Sequence, residues 1–183
     1  MQNKGPWKIK STEIKYKNPW IEVREDQVIT PANTNGIYGV VNQLDGICVI
    51  SIDENKNLRL VKEFKYAAND YSIEAVCGGI EKGHSIQETV HKELKEELGI
   101  KAKKITYIGE FDGHTSIIEC KMHLYIAEDL TFEDTEHEET EVIESITMSL
   151  EEAYQKVQSG EIYHMPTVIL IQHLYIQNLK QKN

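Results

Sequence analysis

Positive charge is scarce in this sequence. Of 183 residues, 20 are Lys or Arg against 30 Asp or Glu, giving a formal net charge of -10. A surface of that sign repels the nucleic-acid backbone and anionic membranes, which argues against nonspecific binding to either. An anionic nucleotide ligand is not excluded, because bound divalent cations invert the local field. Cysteine is almost absent: Cys48, Cys77 and Cys120 stand far apart, with no Cys-x-x-Cys pair. That argues against a zinc site and a disulfide framework and fits a reducing compartment. The plain reading is three small buried hydrophobes. Long apolar runs are missing as well. No stretch is long enough to span a bilayer, and the first residues are polar and charged instead of forming an apolar signal core. The expectation is a soluble, cytoplasmic protein. There is no P-loop, no Lys/Arg cluster, no internal repeat and no low-complexity segment beyond one acidic stretch.

What the chain does have is concentrated between Gly78 and Ile100, GGIEKGHSIQETVHKELKEELGI. Ser85 and Glu88 have the Ser-x-x-Glu spacing of a capping box, and Gly99 sits where a C-terminal cap belongs. Ile86, Val90, Leu94 and Leu98 recur every four residues, so one stripe of the helix faces a core. At about 100° per residue, Glu97 falls inside that stripe, Glu93 at its edge one turn back, and Glu96 well away from it. A solvated acidic face is the ordinary reading of such carboxylates. It suits Glu96 and fails for Glu97, because a carboxylate on the buried side is costly unless a cation or donors compensate it. Two carboxylates one turn apart can hold a hard cation through oxygen.

The same residues resemble the Nudix box: a Gly, five residues, a Glu, seven residues, then Arg-Glu-aliphatic-x-Glu-Glu-x-Gly-aliphatic. Here the box runs from Gly78 to Lys92-Glu93-Leu94-Lys95-Glu96-Glu97-Leu98-Gly99-Ile100, with the spacing kept throughout. Two positions depart. His84 stands in place of the first Glu, removing an accessory carboxylate, and Lys92 in place of the Arg. Lys92 can reach Glu96 or Glu88 at helical spacing but lacks the bidentate fork of Arg. The lead-in Ser72 to Gly78 is similar to the Glu-x-x-Ala-Gly of the ADP-ribose pyrophosphatase-like branch, with Cys77 in the Ala position. The resemblance implies an α/β (α+β) fold, an α/β/α sandwich around a mixed β-sheet, with an N-terminal antiparallel β-segment. It divides the chain into residues 1–38, the β-segment, and 39–183, the Nudix domain.

The implied chemistry is Mg²⁺-dependent hydrolysis, with Mn²⁺ able to satisfy the same oxygens, of the pyrophosphate bond in a nucleoside diphosphate linked to another moiety. ADP-ribose or a nucleotide sugar is the expected small-molecule substrate. By the same resemblance Glu93, Glu97 and the Cys77 backbone oxygen are the metal ligands, and Glu96 supports them. A catalytic Glu is expected in the acidic run before the last strand; Glu141 is the first match and Glu139 the second. Glu74, Lys65 and the close-approaching Gly78–Gly79 turn are expected against the substrate, although a surface role for Lys65 stays open. A catalytically weakened domain that binds a nucleotide as a sensor remains the alternative, because of His84 and Lys92. In many members of this branch the β-segment reaches across a homodimer; an extra sheet on the same monomer is the other reading.

The rest of the chain reads in order. Trp7 to Tyr16 and Trp20 to Thr30 are predicted strands separated by Lys17-Asn18-Pro19. Pro31 to Gly36 reads as a loop, and Gly39 to Ile52 as an apolar strand interrupted near Asn42 to Gly46. Leu58 to Tyr66, Lys104 to Phe111 and Ile117 to Ala127 read as strands, with Tyr66 and Tyr71 either stacking on a base or part of the core. Glu119 is placed near a strand start, facing the site. His114 and His123 read as loop or edge histidines without zinc spacing. A helix is predicted from Leu150 to Ser159, ended by Gly160, and another opened by Pro166.

Overall fold

The computed structural model describes residues 1–135 and 142–181. In chain order the elements are β1 (Gln2–Lys4), β2 (Trp7–Lys17), β3 (Ile21–Ile29), β4 (Asn35–Gln43), β5 (Gly46–Ile52), β6 (Asn57–Lys65), β7 (Asp70–Glu74), β8 (Val76–Gly79), α1 (Ile86–Leu98), β9 (Ile100–Asp112), β10 (Ile118–Glu119), β11 (Lys121–Phe132), β12 (Glu144–Ser149), α2 (Leu150–Ser159) and α3 (Met165–Gln181). Two compact units result: residues 1–45 with 112–121, and residues 46–111 with 122–183. Among the described residues no helix is long and apolar enough to cross a membrane.

The first unit is a five-stranded sheet in the order β1-β2-β3-β4-β10. The turn between β2 and β3 forms where expected. The Asn18 side chain accepts from the backbone N–H groups of Trp20 and Ile21 at 2.9 and 2.7 Å, as turn-forming Asn residues do. Some boundaries differ: the strand expected from Ile117 to Ala127 divides at Cys120 into β10 and β11, and the one expected from Lys104 begins at Ile100. β4 begins at Asn35, not Gly39, because pairing with β3 (Val28 with Gly36, Ile29 with Asn35) draws in residues that compositionally read as loop.

Glu119 falls on a strand, as its placement near a strand start anticipated. It stands on β10, parallel to β4, and is engaged by cations of its own unit. Arg24 grips its carboxylate through two bonds of 2.9 Å, and Lys4 adds one of 2.7 Å. These donors, Arg24 foremost, hold the Glu119 carboxyl down at about 2 from an ordinary 4.5. A carboxyl depressed on folding contributes stability above its unfolded pKa and loses it as pH falls through the folded value. Glu119→Gln is therefore expected to be less stable than the parent at neutral pH. The carboxylate is half exposed, so the gap is about 1 kcal/mol after allowance for solvent screening. It should close between about pH 4.5 and 2, which paired thermal melts across that range would show.

The second unit carries a seven-stranded mixed sheet in the order β12-β6-β5-β11-β9, with β7 added to β6 and β8 to β5. Its centre is β5, GICVISI, all seven residues of which are buried. A strand so buried needs cover on both faces. Strand alternation supplies two sets of side chains. Cys48, Ile50 and Ile52 point into one core with Leu124 and Ile126 of β11, closed by Leu150 and Ala153 of α2 and Leu170, Ile171 and Leu174 of α3. Ile47 and Val49 point into the other with Tyr125 and Ala127, closed by Val90, Leu94 and Leu98 of α1. This unit is thus the expected α/β/α sandwich. β11 runs parallel to β5, while β6 and β8 run antiparallel to it.

The two strands after the β5–β6 turn do not stay together. They pair only at Ser51–Arg59 and Ile52–Leu58. Beyond that point the Gly46–Val49 half of β5 pairs with β8, and the Val61–Lys65 half of β6 pairs with β7. The lead-in segment is therefore wedged into a split in the sheet. Ala75, at the junction of β7 and β8, is fully buried, and the Thr167 hydroxyl of α3 accepts its N–H at 2.9 Å. A buried amide left without that acceptor would carry the full desolvation cost.

The helix α1 is capped at both ends as its sequence demands. Ser85 and Glu88 form the capping box, and Gly99 closes the helix at φ 61°, donating to the carbonyls of Leu94 and Lys95. A Cβ at Gly99 would overlap the Glu133 carbonyl oxygen, and the Glu133 N–H donates back to the Gly99 carbonyl at 2.7 Å. Gly99→Ala combines a left-handed backbone with that overlap. The expected loss is about 2–4 kcal/mol, seen as a lower denaturant midpoint at unchanged slope.

Candidate functional site

Gly78, inside β8, shows how closely α1 docks against the lead-in. A Cβ at Gly78 would fall on the Glu93 carboxylate, so only a glycine lets that side chain lie against the strand backbone. Glu97, one turn on, lies near enough to bear electrostatically on Cys77. Of the expected metal ligands, Glu93 is thus brought against Gly78 of β8, and the charge of Glu97 is felt at Cys77. Gly79 lies beside them, across from Gly46 of β5.

Lys92 and Glu96 take the outer side of the helix. The Lys92 ammonium is 3.5 Å from Glu96 and 3.9 Å from Glu81. Glu88, the other expected partner, is turned to the cap, where it accepts from the Ser85 N–H at 2.7 Å. Burial opposes the Lys92 charge, but Glu96, Glu93 and Glu81 outweigh it and raise its pKa above the ordinary value. The arrangement does with one point charge part of what an Arg fork would do.

Lys65 and Glu74, expected against the substrate, form a pair at 3.8 Å, and Lys65 also bonds Glu63. Burial lowers the Lys65 pKa, and Glu63 and Glu74 together more than reverse that. Glu74 faces His164 on its other side, 3.5 Å from Nδ1. Burial pushes His164 below its usual pKa, with Lys65 acting in the same sense and Glu74 against, so the imidazole stays neutral near pH 7. Thr167 lies 2.9 Å from the same nitrogen. Sequence reading missed both His164 and Thr167. Thr167 stands 92 positions from the Ala75 it anchors, and no spacing rule spans that interval.

The cysteines also correct the sequence reading. Cys48 and Cys77 are cross-strand neighbours in the β5–β8 ladder, so distance along the chain was no guide to distance in space. The Cys77 thiol donates to the Ala75 carbonyl at 3.3 Å. Its pKa is raised well above the ordinary thiol value by Cys48, by burial, and by the charges of Glu74 and Glu97. It is therefore a protonated thiol facing the α3 core, and only its backbone can serve the α1 side. His123 is likewise no edge residue. It lies buried in β11, between β5 and β9, with its ring 6.3 Å from that of Tyr107. His114 sits in an exposed loop. Tyr66 and Tyr71 are exposed, not core, and Tyr71 meets Phe64 edge to face at 5.5 Å. Glu139 and Glu141 lie outside the described residues.

The side chain that α1 lays against β8 is a carboxylate, an oxygen donor of the kind a hard divalent cation takes, and Gly78 leaves room for it.

Comparison with known proteins bears on the family and the fold. Residues 43–167 match the NUDIX domain family, and residues 7–41 match the nucleoside diphosphate sugar hydrolase N-terminal domain. An ADP-ribose pyrophosphatase of Bacillus subtilis is 30% identical over 163 residues, covering 88% of each chain. A methanol dehydrogenase activator of Bacillus methanolicus is 26% identical over 177 residues, covering 95% of each. Among solved structures, an ADP compounds hydrolase superposes with a TM-score of 0.81 at 18% identity, covering 98% of both chains, which bears on the fold alone. A box whose glycine abuts a helix carboxylate, and a family match over most of the chain, lead to one assignment: the chain belongs to the Nudix family and is a Nudix pyrophosphatase.

Proposed function

We propose that the chain hydrolyses the pyrophosphate bond of ADP-ribose or a nucleotide sugar, with Mg²⁺ as the working ion and Mn²⁺ as a substitute. The observation that carries this reading is the contact of the Gly78 backbone with the Glu93 carboxylate, with Glu97 close by. Glu93, Glu97 and the Cys77 carbonyl would hold the ion, whose chemistry is to neutralise phosphate oxygens and acidify water. Everything else falls to the chain. Glu141 or Glu139 takes the proton from the water that attacks phosphorus, while the bridging oxygen departs with the other phosphate. Glu96, tied to Lys92, keeps negative charge behind the ligands. The Gly78–Gly79 backbone lets the diphosphate approach, and Lys65 offers a cation to it while Glu74 fixes the ammonium.

The reading extends to assembly. Residues 1–38 act as the arm of a homodimer and residues 39–183 as the Nudix domain; the match of residues 7–41 to the nucleoside diphosphate sugar hydrolase N-terminal domain supports a role for that segment in substrate choice.

A panel of ADP-ribose and nucleoside diphosphate sugars, assayed by release of phosphatase-sensitive monoesters, tests the activity. Turnover of at least one compound is expected with Mg²⁺, and none after chelation. Tight calorimetric binding of ADP-ribose without hydrolysis would instead select the nucleotide-sensor reading, to which His84 and Lys92 lend weight.

A further inference from the structure

The α3 side of the sheet holds a second cluster of ligand-type side chains. Cys48 of β5, Cys77 of β8 and His164, just before α3, place a sulfur, a sulfur and an imidazole nitrogen all within 4.8 Å of one another. We propose that these three residues form a site for a thiophilic divalent cation of the zinc class, separate from the carboxylate site. A tetrahedral zinc with ordinary bond lengths separates two thiolate sulfurs by about 3.8 Å, and sulfur from nitrogen by about 3.6 Å. The cluster therefore needs to contract by about an ångström at most.

The surroundings suit the ion. Cys48 and Cys77 face each other across a ladder, so their backbone positions are set before any ion arrives. Cys48 is fully buried, which keeps competing water away. The His164 ring is oriented by Thr167 at 2.9 Å and Glu74 at 3.5 Å, the kind of outer support that ligating histidines have. Charge also balances. Binding releases one proton from each thiol and leaves two thiolates, a neutral imidazole and a dication, with no net charge at a buried position. Soft sulfur ligands discriminate against Mg²⁺, so the two sites take different ions. Two side chains face one core and the carboxylates come from the α1 side, so both sites can be filled in one molecule.

Cobalt titration of the full, reduced chain under anaerobic conditions tests this. A near-ultraviolet thiolate-to-cobalt charge-transfer band is expected, erased by Zn²⁺ and untouched by Mg²⁺. Cys48→Ala and His164→Gln should each weaken cobalt binding by about tenfold or more. Cys120→Ser should leave the band as it is. Circular dichroism melts check that each variant is folded; if Cys48→Ala is not, His164→Gln decides. Absence of the band while a thiol assay counts all three cysteines free overturns the proposal. So does a band that survives both ligand substitutions, or a thiol count showing that Cys48 and Cys77 form a disulfide under native conditions. Cobalt held only by carboxylates gives no thiolate band, so this result stands apart from the test of hydrolysis.

Discussion

Replacing Glu97 by glutamine is expected to lower turnover about a thousandfold, with the fold intact. The substitution keeps size and shape and removes one negative charge from the junction of α1 and β8. Loss of one anionic ligand forfeits several kcal/mol of the charge stabilisation that phosphoryl chemistry depends on, and each 1.4 kcal/mol is about tenfold in rate. The change is isosteric at a half-buried position, so the fold should be kept. Steady-state kinetics beside a denaturant melt separate the two effects. Unchanged turnover would show that Glu97 plays no part in the chemistry.

Gly78→Ala is the second large effect, and it works by a different route. No charge changes. The added methyl occupies the space of the Glu93 carboxylate, so that side chain must leave the strand. A displacement of about an ångström at a catalytic group can cost about a hundredfold. The fold itself should lose little, because the atoms displaced are the far end of a flexible side chain. The diagnostic is the metal dependence: the variant should need more Mg²⁺ for half-maximal rate, whereas a substitution that merely loosened the fold would lower the folded fraction and leave that concentration alone. An unaltered Mg²⁺ requirement would mean that the Gly78–Glu93 contact does not position the ion.

Local rules carried α1 completely. Its cap, its apolar stripe and its closing glycine each depend on residues within one or two turns, and all three were legible in the sequence. The same holds for α2, capped by Ser149 and ended by Gly160. β5 was legible in part: its apolar residues stood inside the stretch Gly39 to Ile52, read as one strand interrupted near Asn42 to Gly46, which the structure divides between β4 and β5. What could not be read was set by partners far along the chain. β4 starts early because β3 offers a ladder. Glu119 is committed to Arg24 and Lys4, which precede it by about a hundred residues. Cys48 and Cys77 meet because β8 enters the split between β5 and β6, and no period in the sequence announces a split sheet. The acidic run offered too many equivalent carboxylates for spacing to choose between Glu139 and Glu141.

The bond from the Ala75 amide to the Thr167 hydroxyl has a consequence for biosynthesis. The wedge that presents the box glycine is seated by a residue of α3, the final helix. On a ribosome the box, its helix and most of the sheet would emerge well before that hydroxyl does. A nascent chain stalled before residue 167 would thus carry every carboxylate from Glu74 to Glu97 and still lack the peg that seats their strand. Seating of the strand that holds the box glycine therefore waits on a residue 92 positions downstream of Ala75.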